Sequence, residues 1–107
     1  MKKLVLEEVL KEWPIPDERF IRGVLDEARS TNAAKIIVLD DDPTGVQTVH
    51  DVNVYTDWSY ESILSGFSEE GRIFYILTNS RSFTSEDTRR AHEEIAHNIV
   101  RTSQELQ

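Results

Sequence analysis

Residues 36–45, Ile-Ile-Val-Leu-Asp-Asp-Asp-Pro-Thr-Gly, set the expected fold of this chain. Four apolar residues lead directly into three aspartates and a Pro-Thr-Gly turn, which predicts a buried strand that ends in a polar loop. A second apolar run, Ile73–Leu77, also ends in polar residues, Thr-Asn-Ser-Arg at 78–81. Two such strands are typical of an α/β sheet, which binds ligands at the carboxyl ends of its strands.

Helical and strand-like patterns alternate along the rest of the chain. Helices are predicted over 3–13, from an N-cap at Asp17 onward, over Tyr60–Phe67, and after a cap at Thr84 or Ser85. Strands are predicted at Lys35–Leu39, Val52–Thr56 and Ile73–Leu77. The inward stripe predicted for the last helix comprises Thr88, Ala91, Ile95, Ile99 and Leu106.

This order of elements predicts a three-layer, Rossmann-like α/β fold, in which a parallel sheet carries helices on both faces. With only three strands the sheet would be incomplete, and its first and third strands would be neighbours. Residues 1–16 are assigned to an N-terminal helix and proline-rich turn, and residues 17–107 to a partial α/β domain.

Composition narrows the function classes. At 107 residues the chain is one small domain at most, able to bury about two thirds of its unfolded surface. A net charge of −8 argues against nucleic acid and anionic membranes as partners, because phosphate binding depends on Lys and Arg. No apolar run approaches the ~20 residues needed to span a bilayer. Since no signal-peptide pattern is present either, the expected location is the cytoplasm.

Asp40–Asp42 and Asn79–Arg81 are expected to meet at one end of the sheet, because neighbouring parallel strands end at the same edge. Adjacent carboxylates repel one another, so a fold keeps them mainly where they bind something. Carboxylates accept hydrogen bonds from vicinal hydroxyls, whereas Arg81 offers a planar fork to a carboxylate or phosphate. The pattern predicts a small ligand with hydroxyls at one end and a carboxylate at the other.

Asp42 is the predicted catalytic residue, as acceptor of the proton of a hydroxyl that attacks a phosphoryl group. Thr44 and the amide of Gly45 are expected to orient the ligand or to contact a phosphate. The predicted ligand-binding residues are Asp40, Asp41, Asp42, Thr44, Gly45, Asn79, Ser80 and Arg81. No metal ligands are predicted, and no cofactor-binding residues, since neither glycine-rich nucleotide loop is present.

Plainer interpretations of the same residues stay open. Asp-Asp-Pro-Thr-Gly is also typical of a surface turn, and Thr-Asn-Ser-Arg at 78–81 is suited to helix capping. Arg81 is equally suited to be a structural partner of the aspartates. His50 is either a base or hydroxyl-binding group or an ordinary hydrogen-bonding residue of a polar loop.

The run Leu-Asp-Asp-Asp-Pro-Thr-Gly-Val-Gln-Thr-Val-His-Asp-Val at 39–52, with Leu-Thr-Asn-Ser-Arg at 77–81, resembles the four-carbon acid sugar kinases. The likeness is to their N-terminal sugar-binding domain and extends from about Trp13 to Asn98. It places the family's aspartate-Thr-Gly turn on Asp41, Asp42, Thr44 and Gly45, and its Ser-Arg pair on Ser80 and Arg81.

The resemblance implies part of an ATP-dependent kinase that phosphorylates threonate-like or erythronate-like acids. ATP and Mg²⁺ would be cofactors of the full-length enzyme, bound mainly by a C-terminal nucleotide-binding domain that these 107 residues do not contain. The chain by itself is then expected to be inactive and to bind neither cofactor strongly. Its expected partners are an acid sugar and the missing domain.

Two other interpretations stay open. A phosphatase of the haloacid dehalogenase type would use Asp40-x-Asp42-x-Thr44 after an apolar strand, with Asp40 as nucleophile, Thr78 on the phosphate and Mg²⁺ offsetting the charge. The lysine and the late acidic pair of that superfamily are missing from this sequence. The other interpretation is a non-enzymatic binding module, with a possible homo-oligomer formed through exposed sheet edges.

Overall fold

The computed structural model describes residues 3–107, which form two compact units, one ending at Ala33 and one spanning Ala34–Gln107. The predicted division into an N-terminal segment over 1–16 and a partial α/β domain over 17–107 stays a prediction, and residues 1 and 2 of that segment lie outside the described part. Within residues 3–107, no helix combines the length and the apolar character needed to cross a membrane.

The first unit contains two helices, α1 (Leu6–Glu12) and α2 (Glu18–Thr31). Asp17 caps α2 as predicted, because its carboxylate accepts the backbone N–H of Arg19 at 3.0 Å. The predicted apolar face of α2 is present in sequence, yet Phe20 is 70% and Val24 52% exposed. The first unit therefore has no buried core of its own among its described residues.

The second unit is a three-stranded parallel sheet with two α-helices. Its strands and α-helices in chain order are β1 (Ile36–Asp40), β2 (Val54–Tyr55), α3 (Tyr60–Ser68), β3 (Ile73–Leu77) and α4 (Ser85–Glu105). The strand order is β1-β3-β2, so the first and third strands are neighbours. The predicted α/β class and the incomplete parallel sheet are confirmed.

The hydrophobic core lies on one face of this sheet. Phe74 and Ile76 alternate along β3, so both side chains point to the same face, where both are fully buried. Ile63 of α3 and Ile95 of α4 pack against them and complete the buried cluster. Both α-helices of residues 34–107 therefore cover the face of the sheet that carries Phe74.

Gly66 lies inside α3 because of this packing. A Cβ at Gly66 would lie 2.5 Å from a carbon atom of the Phe74 ring, which is closer than two non-bonded carbon atoms can approach. Glycine usually weakens a helix interior, but here the missing side chain lets α3 approach the sheet.

The strand β2 is shorter than predicted from Val52–Thr56. Asp51, the residue just before this segment, has a left-handed backbone (φ 57°), so extended structure cannot run through it. After it, the carboxylate of Asp57 accepts the N–H of Ser59 at 3.0 Å and begins the turn into α3. The register pairing with β3 covers Val54–Tyr55, and the carbonyl of Asn53 accepts the N–H of Tyr75 at 2.9 Å.

The helix α4 begins at its predicted cap, since the hydroxyl of Thr84 accepts the N–H of Asp87 at 3.2 Å. Its buried stripe includes Thr102, which is fully buried and donates its hydroxyl to the carbonyl of Asn98 at 2.7 Å. The prediction of Leu106 in this stripe is wrong: it is 52% exposed because the helix ends one residue earlier.

Candidate functional site

The carboxyl ends of β1 and β3 lie side by side. Asp40 is the register partner of Leu77, and the N–H of Thr78 donates to the carbonyl of Asp40 at 2.8 Å. One turn further, the N–H of Arg81 donates to the carbonyl of Asp41 at 3.2 Å. The structure thus brings the two polar turns together. The acidic turn cluster is defined here as Asp40, Asp41, Asp42 and Arg81.

Asp41 and Asp42 share the guanidinium of Arg81. Nη2 of Arg81 lies 3.0 Å from Oδ1 of Asp41, and Nη1 lies 2.8 Å from Oδ2 of Asp42. The hydrogen bond with Asp41, followed by the charges of both aspartates, raises the pKa of Arg81 above its ordinary value. The side chains of Arg81 and Asp41 are 66% and 52% exposed, so water screens the attraction. The ion pairs therefore fix geometry more than they stabilise the fold.

Thr44 holds Asp42 from the other side. Oδ1 of Asp42 accepts the N–H of Thr44 at 2.8 Å and also its hydroxyl hydrogen. These bonds, with the charge of Arg81, lower the pKa of Asp42 below its ordinary value. Asp42 is therefore ionised at neutral pH, and Oδ2 keeps acceptor capacity for one more hydrogen bond.

Gly45 gives Asp40 the space it occupies. A Cβ at Gly45 would lie 2.1 Å from Oδ2 of Asp40 and 2.6 Å from its Cγ. The carboxylate of Asp40 also accepts the N–H of Asp42 at 3.1 Å. The amide of Gly45, whose expected role in orienting the ligand or contacting a phosphate stays a prediction, donates to the carbonyl of Asp42 at 3.1 Å. Gly45 thus shapes the cluster through its missing side chain.

Thr78 and Ser80 lie beneath the cluster and are 2% and 7% exposed. Their hydroxyls bond to each other at 2.8 Å, and that of Thr78 also donates to the carbonyl of Asp40 at 3.1 Å. From the sequence, Thr78 was expected to contact phosphate in the phosphatase alternative or to belong to a helix cap at 78–81. Its place directly after β3, opposite the end of β1, was the available signal for a bracing role. The ligand contact predicted for Ser80 stays a prediction.

Asn79 is exposed between these two residues and has a left-handed backbone (φ 52°, ψ 29°). Asparagine tolerates this region better than most residues, and such conformations are common where a turn presents functional groups. His50, in contrast, pairs with its chain neighbour Asp51 at 2.8 Å, and both side chains are more than nine-tenths exposed. Within residues 3–107, no group of three or more His, Asp or Glu is arranged to hold a metal ion.

Comparison with protein families places the cluster within a known domain. A family model described as a sugar-binding N-terminal domain matches residues 36–107, well over half of the chain. The chain belongs to this sugar-binding family. Domains of this family are found in four-carbon acid sugar kinases, in agreement with the resemblance of the 39–52 and 77–81 motifs. Comparison with curated proteins and with solved structures gave no match.

The matched range runs from the first residue of β1 to the last residue of the chain. It includes the whole acidic turn cluster and the buried Thr78–Ser80 pair. The second unit therefore contains a domain of the sugar-binding family, and such a domain implies a small sugar as its ligand.

Proposed function

We propose that this chain is the sugar-binding part of an ATP-dependent kinase and binds threonate-like or erythronate-like acids at the acidic turn cluster. The observation that carries the proposal is the family match over residues 36–107, which contains every residue of the cluster. The polar ends of β1 and β3 form the edge at which α/β sheets bind ligands. Asn79, exposed beside the cluster, is included in the proposed ligand-binding set with Thr44, Gly45 and Ser80.

Hydroxyl recognition is supported by the acceptor capacity of the cluster. Each ionised aspartate provides about four lone-pair positions, and the protein uses only some of them. Oδ2 of Asp42 accepts one bond from Arg81, so a ligand hydroxyl can donate to the same oxygen. Two aspartates at neighbouring positions can therefore accept from two neighbouring hydroxyls.

Asp42 is the proposed proton acceptor in phosphoryl transfer. The ligand hydroxyl oxygen forms a bond to phosphorus, the bond from phosphorus to its donor oxygen breaks, and the hydroxyl proton passes to Asp42. The lowered pKa of Asp42 makes it a weak base. A loose transition state needs little negative charge on the attacking oxygen, so late proton transfer to a weak base suffices.

ATP and Mg²⁺ would supply the phosphoryl group and neutralise its charge in a longer protein. No residue of this chain is assigned to either, because the sequence carries neither glycine-rich nucleotide loop and the cluster already contains its own arginine. This chain's contribution is to bind and orient the acceptor.

The test is a titration of the ¹⁵N-labelled chain with threonate, followed by the amide signals of Gly45 and Asn79. Asp42→Asn should weaken binding by about tenfold or more, since a bond to a charged group contributes about 1.5–3 kcal/mol. The matched control is Asp26→Asn on the exposed surface of α2, which should leave binding unchanged. Equal binding by both variants would refute the proposed role of Asp42, and no binding by the unmodified chain would refute the proposed function.

The phosphatase alternative has less support from the geometry. The hydroxyl of Thr78, which that mechanism directs at phosphate, is buried and bonded to Ser80 and to the carbonyl of Asp40. Formation of a beryllofluoride adduct on Asp40 would favour the phosphatase over the kinase. A cytoplasmic location and a homo-oligomer remain predictions.

A further inference from the structure

The donors of Arg81 are directed at its own chain. Nε and Nη2 donate to Asp41 at 3.5 and 3.0 Å, and Nη1 donates to Asp42 at 2.8 Å. All three guanidinium nitrogens thus contact an aspartate. A ligand carboxylate would bind best to a pair of these N–H donors. Asp41 and Asp42 already accept from part of each pair.

The surrounding charge also disfavours a ligand carboxylate at this place. One arginine faces three aspartates, so the cluster carries an excess of negative charge. A second carboxylate brought to Arg81 would repel Asp41 and Asp42 and would compete with them for the same N–H groups. Hydroxyl groups do not meet this repulsion and donate directly to the aspartates.

We propose that Arg81 is a positioning residue, which holds Asp41 and Asp42 so that they bind the hydroxyl-bearing part of the ligand, while the ligand carboxylate lies away from Arg81. This inference rests on the proposed sugar-binding function and assigns the orientation of the ligand within that site. Arg81 reaches across 39 to 40 residues of sequence to both aspartates. Arg81 therefore fixes the turn that follows β1 relative to the turn that follows β3.

The experiment compares two probes, threonate and threitol, the neutral polyol that carries a hydroxyl in place of the carboxylate. Binding of each to the ¹⁵N-labelled chain is measured for the unmodified protein, Arg81→Met and Arg81→Lys. A positioning role predicts that threitol binds and that Arg81→Met weakens both probes by factors that agree within about fivefold, because the lost contact is not with the carboxylate and only the lost positive charge acts on it at a distance. Arg81→Lys should restore part of the affinity for both, since an ammonium still attracts the aspartates.

The control is Arg90→Met, which removes an exposed arginine paired with Glu86 on α4 and should change neither affinity. A loss for threonate at least about tenfold larger than for threitol would overturn the inference, because it would show that Arg81 contacts the carboxylate. Binding of threonate without binding of threitol would also overturn it, and the proposed function would stand. Failure of both probes to bind the unmodified chain would refute the proposed function and this inference with it.

Discussion

Replacing Gly45 with alanine tests whether the cluster depends on the space left by a missing side chain. None of the described glycines has a positive φ, so alanine is compatible with the backbone at this position. The added methyl would nevertheless lie 2.1 Å from Oδ2 of Asp40. The carboxylate of Asp40 must then rotate away from the turn.

The expected fall in the free energy of unfolding follows from the hydrogen bond that Asp40 loses. Rotation breaks the 3.1 Å hydrogen bond that Oδ1 accepts from the N–H of Asp42. A hydrogen bond to a charged group contributes about 1.5–3 kcal/mol, and a strained rotamer costs about 0.5–1.5 kcal/mol. Asp40 is only partly buried, so water replaces part of the lost bond. We expect the free energy of unfolding to fall by about 1–2 kcal/mol.

The assay is urea unfolding at neutral pH, followed by circular dichroism, for the unmodified chain, Gly45→Ala and Gly71→Ala. A Cβ at Gly71 has no atom within 4 Å, so that variant carries the entropic effect of alanine without the clash. The amide signal of Asp42 should shift in Gly45→Ala alone. Equal stabilities of the two variants, with an unshifted Asp42 signal, would refute the argument.

The elements around the cluster were predictable because their signals are local. An uninterrupted apolar run specifies β1 and β3, and Thr84 with Asp87 three residues later specifies the start of α4. The neighbouring positions of the first and third strands followed from a general rule of α/β sheets. Once these strands are adjacent, the meeting of Asp42 with Arg81 is a consequence of register.

The details that sequence analysis missed depend on contacts between distant residues. Whether Arg81 faces a ligand or its own aspartates cannot be decided from residue types, because a guanidinium suits both partners equally. The burial of Thr78 and Ser80 depends on the carbonyl of Asp40, 38 residues earlier in the chain than Thr78. The exposure of Leu106 depends on where α4 ends, and such boundaries carry weak sequence signals.

Two further predictions concern the core and its rim. Gly66→Ala should lower the free energy of unfolding, because overpacking against Phe74 costs about 1–3 kcal/mol and the helix-propensity gain is at most about 1 kcal/mol. Urea unfolding should show no such loss for Gly23→Ala in α2, where a Cβ meets no atom within 4 Å; equal effects of the two changes would contradict the packing argument. The last prediction uses Tyr55, whose hydroxyl donates to the carboxylate of Glu69, and this bond raises the pKa of Tyr55 to about 12. Since the folded-state pKa lies above the unfolded value of 10.0, the stabilisation from this bond is complete below pH 10 and is lost as the pH rises through about 12. The stability difference between the unmodified chain and Tyr55→Phe should therefore shrink over that range in urea unfolding, and absorbance at the tyrosinate band should show one high-pH titration missing from the variant. The prediction would be contradicted by a stability difference that stays constant from neutral pH to pH 12, together with tyrosinate curves that differ only in amplitude near pH 10. Such a result would show that the bond to Glu69 does not raise the pKa of Tyr55.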